Sequence, residues 1–338
     1  MAGHDIIVIG ASAGGIEAIS DLIVQFPEDL KAAVFIVVHI SPESPNMLPQ
    51  IFDRRSPLKS LQANDGEKIQ QGRIYVAPAD FHLIVKDGLM QLSRGPKENR
   101  ARPAIDPLFR SAAVNYGPSV IGVLLSGMLD DGVSGLDSIK KCGGVAIVQH
   151  PEDAIFPDMP LHALANVEVD FNLPVSKMGA VIYRLVNESE VEKKNKSPEM
   201  LKSPEMLKSE VKIAEKGVEN QKMITDNFNN ASMPVMVMTC PECNGPLFEI
   251  KDDRVLRFRC ITGHAYTAEN LLAQQNEVFE AALFAALRIL QERSNMLERM
   301  YQESADKDEK QAIDMKRRAE ESRKYASTLR DIILSRTI

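Results

Sequence analysis

The sequence predicts an α/β fold with a doubly wound, mostly parallel sheet, followed by a small zinc-knuckle and α-helical C-terminal unit. Short β-branched runs alternate with helical patterns, as in IIVIG (6–10), IEAISDLIVQF (16–26) and AVFIVVHI (33–40). The alternation returns later with VIGVLLSG (120–127), LDSIKKCGG and VAIVQ. Runs that are apolar on both faces are typical of central strands covered by helices on each side.

The middle section has a different pattern. GRIYVAPADFHLIVKDGLMQLS (72–93) contains two extended runs around the turn Lys86-Asp87-Gly88. An Asp-Gly turn between extended runs predicts a β-hairpin. We therefore expect the sheet to be mixed.

Size and composition limit the class of protein. A chain of 338 residues exceeds what one hydrophobic core usually organises, so we expect two or more folded units. The net charge of −7 argues against a nucleic-acid binder, which needs clustered Lys and Arg. The first residues lack a signal peptide, and no window holds the roughly 18 apolar residues of a membrane span. We expect a cytoplasmic protein without direct membrane insertion.

The composition changes near residue 188, where the α/β pattern of residues 1–188 stops. Residues 189–233 are charged and contain KSPEML twice, which predicts a flexible linker. Residues 234–268 hold three of the four cysteines, and residues 269–338 have the composition of one long helix or a helical hairpin. Because a linker intervenes, we expect the first domain to work independently of the C-terminal segments.

The turn after the first strand, Gly10-Ala11-Ser12-Ala13-Gly14-Gly15, has three interpretations. It can cradle the phosphates of a dinucleotide, although the spacing lacks GxGxxG and the second strand ends in histidine rather than an acid. It can be a tight strand-to-helix turn with a capping serine. It also satisfies GxSxG, the pattern of a turn that presents a nucleophilic serine, which here is Ser12.

Two further polar positions favour the nucleophile. Chemistry in an open α/β sheet gathers beyond the C-terminal ends of the strands, where His39 ends the second strand and Asp130-Asp131 follow VIGVLLSG. In a triad, Ser12 attacks a carbonyl, His39 takes its proton and an aspartate orients the imidazole. The candidate oxyanion donors are the N–H groups of Ala13 and Gly14. The order Ser, His, Asp differs from that of α/β-hydrolases, so that fold is not implied.

Six sequence blocks together resemble a known family. The catalytic domain of CheB-type chemoreceptor protein-glutamate methylesterases has similar blocks in the same order as IGASAGG, VVHIS, IYVAPADFHL, RPAIDPLFRSAA, VLLSGMLDDGVSGL and FPDMPLHAL. The resemblance implies hydrolysis of glutamate methyl esters on chemoreceptors, often with deamidation of glutamines. Matched position by position, it implies a triad of Ser12, His39 and Asp131 rather than Asp130, and it places Met128 beside the active site.

The sequence also departs from the family it resembles. Leu129 stands where glycine is usual, Ala13 where threonine is frequent, and Asp158 interrupts a stretch that usually runs phenylalanine-glycine-methionine-proline. The familiar form has a receiver domain before the esterase, whereas here the esterase pattern starts at the first residues. We therefore expect a separate regulator, and a methyl-accepting chemoreceptor or similar signalling protein as substrate.

The C-terminal segment carries a metal-ligand pattern. Cys240 and Cys243 form CxxC, and Cys260 and His264 form CxxxH after sixteen intervening residues. The spacing suits tetrahedral zinc, and a filled Cys3His set leaves no position open for substrate. We therefore expect a structural zinc and no cofactor in catalysis. Cys142 lies outside this pattern and is expected to be a buried or helix-end thiol. The cysteine–histidine segment and the long helix that follows it resemble an appendage found behind some members of the same family that lack the receiver domain.

Two other functions stay open at this point. One is a nucleotide-binding α/β protein, and the other is a catalytically silent signalling scaffold that acts through its C-terminal unit. Labelling by a fluorophosphonate requires an activated serine, so it distinguishes the hydrolase from both alternatives.

Overall fold

The computed structural model describes residues 4–187, 204–216, 238–250, 254–304 and 309–335. They divide into two compact units, Met1–Leu271 and Leu272–Ile338. Most of the predicted linker, including the first KSPEML repeat, lies outside the described residues. Within the described ranges, no helix has the length and apolar character needed to cross a membrane.

The first unit is built on a seven-stranded sheet. The strands described in this unit are β1 (Ile6–Ala11), β2 (Ala33–Val38), β3 (Lys59–Gln62), β4 (Arg73–Val76), β5 (His82–Lys86), β6 (Leu89–Ser93), β7 (Val120–Leu124), β8 (Val145–Gln149), β9 (Phe171–Leu173), β10 (Leu247–Ile250), β11 (Arg257–Cys260) and β12 (Ala265–Thr267). The main sheet has the order β3-β4-β2-β1-β7-β8-β9, and all its neighbouring strands are parallel. Its strands therefore all end at the same edge.

Helices cover both faces of this sheet, as the apolar strands predict. The helices of the α/β region are α1 (Gly15–Ile23), α2 (Leu48–Asp53), α3 (Ile105–Tyr116), α4 (Val133–Lys141), α5 (Asp158–Asn166) and α6 (Val175–Asn187). Ile7 and Ile9 of β1 are buried under α1, α2 and α6. Ile6 and Val8 are buried on the opposite face, under α3, α4 and α5. Because successive strand residues point to opposite faces, the whole of β1 is excluded from water.

The predicted hairpin is present, but it lies outside the main sheet. β5 and β6 pair antiparallel as a separate two-stranded sheet. Asp87 and Gly88 at its turn have φ of 50° and 76°, the left-handed pair that a tight hairpin turn requires. The prediction of a mixed main sheet is wrong, because the hairpin buries its apolar residues in the core beside α3 instead of adding a strand.

Part of the predicted linker folds onto the first unit. Helix α7 (Pro204–Lys216) buries Val211 and Ala214 against Ile84 of β5. Its Glu210 is also buried and bonds to Arg257 of β11. The expectation of a flexible linker fails for these residues, because a charged segment can be ordered when its charges have buried partners.

The segment with the CxxC and CxxxH pairs also belongs to the first unit. β10, β11 and β12 form a three-stranded antiparallel sheet. Phe258, Tyr266 and Leu271 are buried in a small core around the cysteines. Val255 is buried in the larger core with α3 and α4, so this segment packs on the α/β domain.

The second unit is a helical hairpin, one of the two forms that its composition predicts. Helix α8 (Ala268–Ser304) supplies its first arm and α9 (Glu309–Ser335) the second. Leu297 packs with Met315 and Ala319, and the Ser294 hydroxyl donates to the Ala319 carbonyl at 3.1 Å. The apolar stripe of the sequence is thus used to pair the two helices.

Candidate active site

The C-terminal edge of the parallel sheet gathers three side chains that the sequence analysis singled out. Ser12 follows β1, His39 follows β2, and Asp131 lies in the loop between β7 and α4. The His39 N–H donates to the Ala11 carbonyl at 3.3 Å and the Ser12 N–H to the Ser126 carbonyl at 2.9 Å. These bonds extend the parallel pairing just beyond the strands, so the sheet itself sets the positions of the serine and the histidine.

A hydrogen-bonded chain joins the three side chains. His39 Nδ1 lies 3.1 Å from Ser12 Oγ, and its Nε2 lies 2.7 Å from Asp131 Oδ2. The His39 side chain is 21% exposed and that of Asp131 is 2% exposed, so this series of hydrogen bonds leads from the surface to a buried acid. With the proton on Nε2, Asp131 holds the imidazole in the tautomer whose Nδ1 can accept the serine proton.

The buried acid is held from several sides. Asp131 accepts the Ile105 N–H at 2.6 Å and the Asn99 side-chain amide at 2.7 Å, in addition to His39. Burial alone raises the pKa of Asp131, but the hydrogen bond and charge of His39, with the Ile105 and Asn99 bonds, lower it below its ordinary value. Burial and the charge of Asp131 raise the pKa of neighbouring Asp106. The negative charge therefore concentrates on the carboxylate that faces the imidazole.

The two adjacent aspartates have different surroundings, which predicts different effects of substitution. Asp130 makes no bond to His39; its Oδ1 accepts from Thr267 and Asn270 instead. We expect Asp131→Asn to lower the kcat for a small activated ester by about 10⁴-fold, because it replaces one of the two acceptor oxygens by an NH₂ group and removes the charge that stabilises the imidazolium. Asp130→Asn keeps an acceptor oxygen and should stay within about tenfold of the unchanged protein. The reverse ranking, measured on purified protein, would transfer the orienting role to Asp130.

The turn beside Ser12 leaves two backbone donors free. Gly15 N–H is bonded to the Ser12 carbonyl at 2.9 Å, whereas those of Ala13 and Gly14 have no partner within the described residues. Gly14 has φ of 71°, and a Cβ there would lie 2.8 Å from Ser126 Oγ and 3.0 Å from Ile155 Cβ. Glycine is thus required at this position both by its conformation and by the close approach of the neighbouring loop.

The loop that precedes Asp131 also approaches the serine. A Cβ added to Gly127 would lie 2.9 Å from Ser12 Cβ, so the backbone beside Met128 borders the nucleophile. Met128 itself is 54% exposed. Asp158, another departure from the family it resembles, is the first residue of α5, where an acidic side chain suits the helix N-terminus.

Leu129 has a backbone conformation that explains why glycine is usual there. Its φ is 61°, in the left-handed region that costs an L-residue about 1 kcal/mol or more. We expect Leu129→Gly to be more stable than Leu129→Ala by about 1 kcal/mol, the reverse of the usual order. Urea unfolding of both variants tests this. The same pair of substitutions at Met128, whose φ is not positive, should show alanine as the more stable residue.

Three polar residues of the site were not predicted from the sequence. Asn99 bonds to Asp131 and Asp106, while Ser126 Oγ donates to the Ala13 carbonyl at 2.8 Å. Asn99 and Asp106 come from the loop before α3 and from its first turn. A motif offers no signal for such residues, because their role depends on a contact across the fold rather than on spacing along the chain.

The predicted metal ligands also come together. The ligand atoms of Cys240, Cys243, Cys260 and His264 all lie within 4.8 Å of one another. The Cys243 and Cys260 sulfurs are 3.6 Å apart, and His264 Nδ1 is 3.5 Å from Cys260 Sγ. Ligands about 2.3 Å from one tetrahedral zinc are separated by about 3.8 Å, so the four atoms fit a single ion.

Cys142 lies apart from this group. It follows the last residue of α4 and is half-buried, as expected for a helix-end thiol. Burial raises the pKa of this thiol above its ordinary value.

A doubly wound α/β unit with serine, histidine and aspartate bonded in series at its strand ends defines a serine hydrolase. The sequence pattern of the family described as CheB methylesterase matches residues 7–182. The chain belongs to the CheB methylesterase family, and the resemblance drawn from the sequence is confirmed.

Relatives and a solved structure agree with this assignment. A Methanosarcina mazei protein named protein-glutamate methylesterase/protein-glutamine glutaminase 2 is 37% identical over 191 residues, which cover 54% of this chain and 52% of the relative. A Leptospira interrogans protein with the same activities in its name is 37% identical, over 54% of this chain and 95% of the relative. The Thermotoga maritima CheB methylesterase catalytic domain aligns with a TM-score of 0.53 and 33% identity, over 55% of this chain and all of that chain.

Proposed function

We propose that this protein hydrolyses glutamate methyl esters on a methyl-accepting chemoreceptor or a similar signalling protein, and that it also deamidates glutamines. The observation that carries the proposal is the bonded series from Ser12 Oγ through His39 to the buried Asp131. This series lies at the C-terminal ends of the parallel strands, within the part of the chain that matches the CheB methylesterase family. The relatives' names supply the substrate class.

The reaction follows from the geometry of the three side chains. Ser12 Oγ bonds to the ester carbonyl carbon while His39 Nδ1 takes its proton, and Asp131 stabilises the resulting imidazolium. The free N–H groups of Ala13 and Gly14 can bind the negative oxygen that forms. His39 then gives the proton to the departing methoxide, which leaves as methanol. A water molecule attacks the acyl-enzyme by the same route, and the products are glutamate and free Ser12.

The alternatives left open by the sequence have less support. In the proposed site Ser12 Oγ bonds to an imidazole, whereas a dinucleotide site needs an acid at the end of the second strand for the ribose. A silent scaffold would not need an imidazole aligned between a serine and a buried carboxylate.

Methanol release from methylated receptors is the direct test of the substrate. The purified protein is incubated with receptor cytoplasmic domains labelled in their methyl groups, and volatile methanol is collected. Release that depends on Ser12 supports the proposal. If the protein hydrolyses a small activated ester but releases no methanol from any methylated receptor, it is an esterase with a different substrate.

We also propose that the Cys3His group holds a structural zinc. Cys240, Cys243, Cys260 and His264 would be its ligands, and the ion would supply folding free energy rather than chemistry. The ligand set is completed by protein, and its surroundings suit thiolates because Thr262 Oγ1 lies 3.1 Å from Cys243 Sγ. Catalysis itself uses side chains and backbone groups only.

The cellular setting is part of the same proposal. A chemoreceptor presents its methylated glutamates on the cytoplasmic side, so we place the protein in the cytoplasm with a separate regulator as a further partner. The units that such partners would meet are Met1–Leu271 and Leu272–Ile338, rather than those set by the composition boundaries at residues 188, 233 and 268.

A further inference from the structure

One side chain lies between the triad acid and the segment that carries the Cys3His group. Asn99 is buried, and its Nδ2 donates to Asp131 Oδ1 at 2.7 Å. Its Oδ1 accepts the Thr267 N–H at 2.9 Å, and its own N–H donates to the Ala265 carbonyl at 2.8 Å. β12 therefore holds Asn99 by both backbone and side chain, while Asn99 holds Asp131.

The neighbouring acid is held by the same segment. Asp130 Oδ1 accepts from Thr267 Oγ1 and from Asn270 Nδ2, each at 2.5 Å. Thr267 Oγ1 in turn accepts the Asn270 N–H at 3.3 Å, the geometry of a helix N-cap at the start of α8. Both residues of the Asp130-Asp131 pair are thus tied to residues 265–270.

Buried charges fasten this segment to the α/β domain. Glu98 lies beside Asn99, and its Oε2 is bonded to Arg110 of α3. Arg257 and Arg259 of β11 also face Glu98, at 4.0 and 3.6 Å. Burial alone raises the pKa of Glu98, but Arg110, Arg259 and Arg257 lower it to about 2. Separating the segment would leave these charges without their partners, which is strongly unfavourable.

We propose that residues 265–270 are a positioning element for the triad acid, acting through Asn99, so that full hydrolytic activity requires the Cys3His segment to be docked. The inference rests on the proposed hydrolase function of Ser12, His39 and Asp131. Asn99 contacts no reacting atom and is a positioning residue. Its amide proton satisfies Asp131 Oδ1, which leaves Oδ2 directed at His39 Nε2. The sequence predicted that residues 1–188 work independently. Under this proposal, their hydrolytic activity depends on residues 265–270, which lie beyond the linker.

The test compares Asn99→Gly and Thr267→Val in the full chain. Glycine suits position 99 because its φ is 47°, so the substitution removes the amide without adding backbone strain. Valine keeps the shape of threonine but removes the bond to Asp130 and the cap of α8. Turnover of a small activated ester is divided by the number of sites that a fluorophosphonate labels. With labelling run to completion, partial unfolding lowers the number of labelled sites, whereas loss of positioning slows labelling and lowers the turnover of each site.

We expect Asn99→Gly to lower kcat per labelled site about 10- to 100-fold with KM unchanged, since it deletes a hydrogen bond to a charged group. Thr267→Val should lower it about 3- to 10-fold, because loss of the cap and of the Asp130 bond loosens the backbone N–H that holds Asn99 Oδ1. When Asn99 is already glycine, this N–H has no amide to hold, so Thr267→Val should then lower kcat by less than twofold. The matched control is Asp87→Gly, which also replaces a residue of positive φ but lies in the exposed hairpin turn. This control should match the unchanged protein.

A second measurement does not depend on turnover. The Nε2 proton of His39, bonded to Asp131, should give a downfield NMR resonance that moves in both variants and stays in place in Asp87→Gly. Per-site turnover within twofold of the unchanged protein for Asn99→Gly, or for Thr267→Val alone, would overturn the proposal, as would an unmoved resonance. If the unchanged protein cleaves the small ester but no receptor ester, the proposed substrate fails and the positioning result still stands.

Discussion

Ser12→Ala and His39→Ala should each lower ester hydrolysis by about four to six orders of magnitude. The two side chains act as a unit with Asp131, so each loss removes most of what the three achieve together and the double variant should be little worse than either single one. The effect should appear in kcat, because neither side chain is needed to bind a small ester. Release of the alcohol, followed with excess substrate, measures it.

A matched control separates the loss of the nucleophile from a general effect of removing a hydroxyl. Ser41 is exposed and lies two residues beyond His39, with its hydroxyl bonded to Glu43. Ser41→Ala should retain activity and fluorophosphonate labelling, whereas Ser12→Ala should lose both. Activity of either triad variant within tenfold of the unchanged protein would show that another group is the nucleophile or base.

Removal of the metal should have the largest effect on stability. We expect one zinc per chain by elemental analysis, and we expect Cys260→Ser to abolish it, because three ligands cannot complete the tetrahedral site. Structural zinc in small domains contributes roughly 10 kcal/mol of folding free energy at neutral pH. The small core of Phe258, Tyr266 and Leu271 cannot replace that contribution. A strong chelator should therefore unfold the segment, seen as loss of amide protection in residues 238–267.

The fourth cysteine provides the control for the metal. Cys142→Ser removes a thiol of the same chain at the end of α4, away from the Cys3His group, and should keep one zinc and the same unfolding profile. Unchanged amide protection in metal-free protein would contradict the zinc site. It would show that Cys240, Cys243, Cys260 and His264 pack in the segment without binding a metal.

The fold and the three side chains of the site were accessible from the sequence because both depend on patterns of short range. Continuous apolar runs marked buried parallel strands, and parallel strands bring their ends together at one edge of a sheet. Ser12, His39 and Asp131 each stand directly after such a run or within the loop after it, so proximity could be inferred before any coordinates. The Cys3His group was accessible for the same reason, since its two pairs are local in sequence.

The remaining features depend on contacts that no local pattern records. The hairpin was predicted, but its place outside the main sheet was not, because an exposed edge and a packed face look alike in an alternating run. The segment around Glu210 has the composition of a linker, yet its carboxylate is buried against Arg257 at 2.8 Å. Such compensation is visible only when both charges are placed in space.

The contact between Asp130 and Asn270 joins residues 140 positions apart, and this separation has a consequence during synthesis. Chains grow at about 5–20 residues per second, so roughly 7 to 28 s pass between the appearance of the acid and that of its partner. With residues 265–270 positioning the acid as proposed, a nascent chain that has already folded its α/β domain would still lack a fully aligned triad. The enzyme would become fully active only after residues 265–270 have been synthesised and have docked.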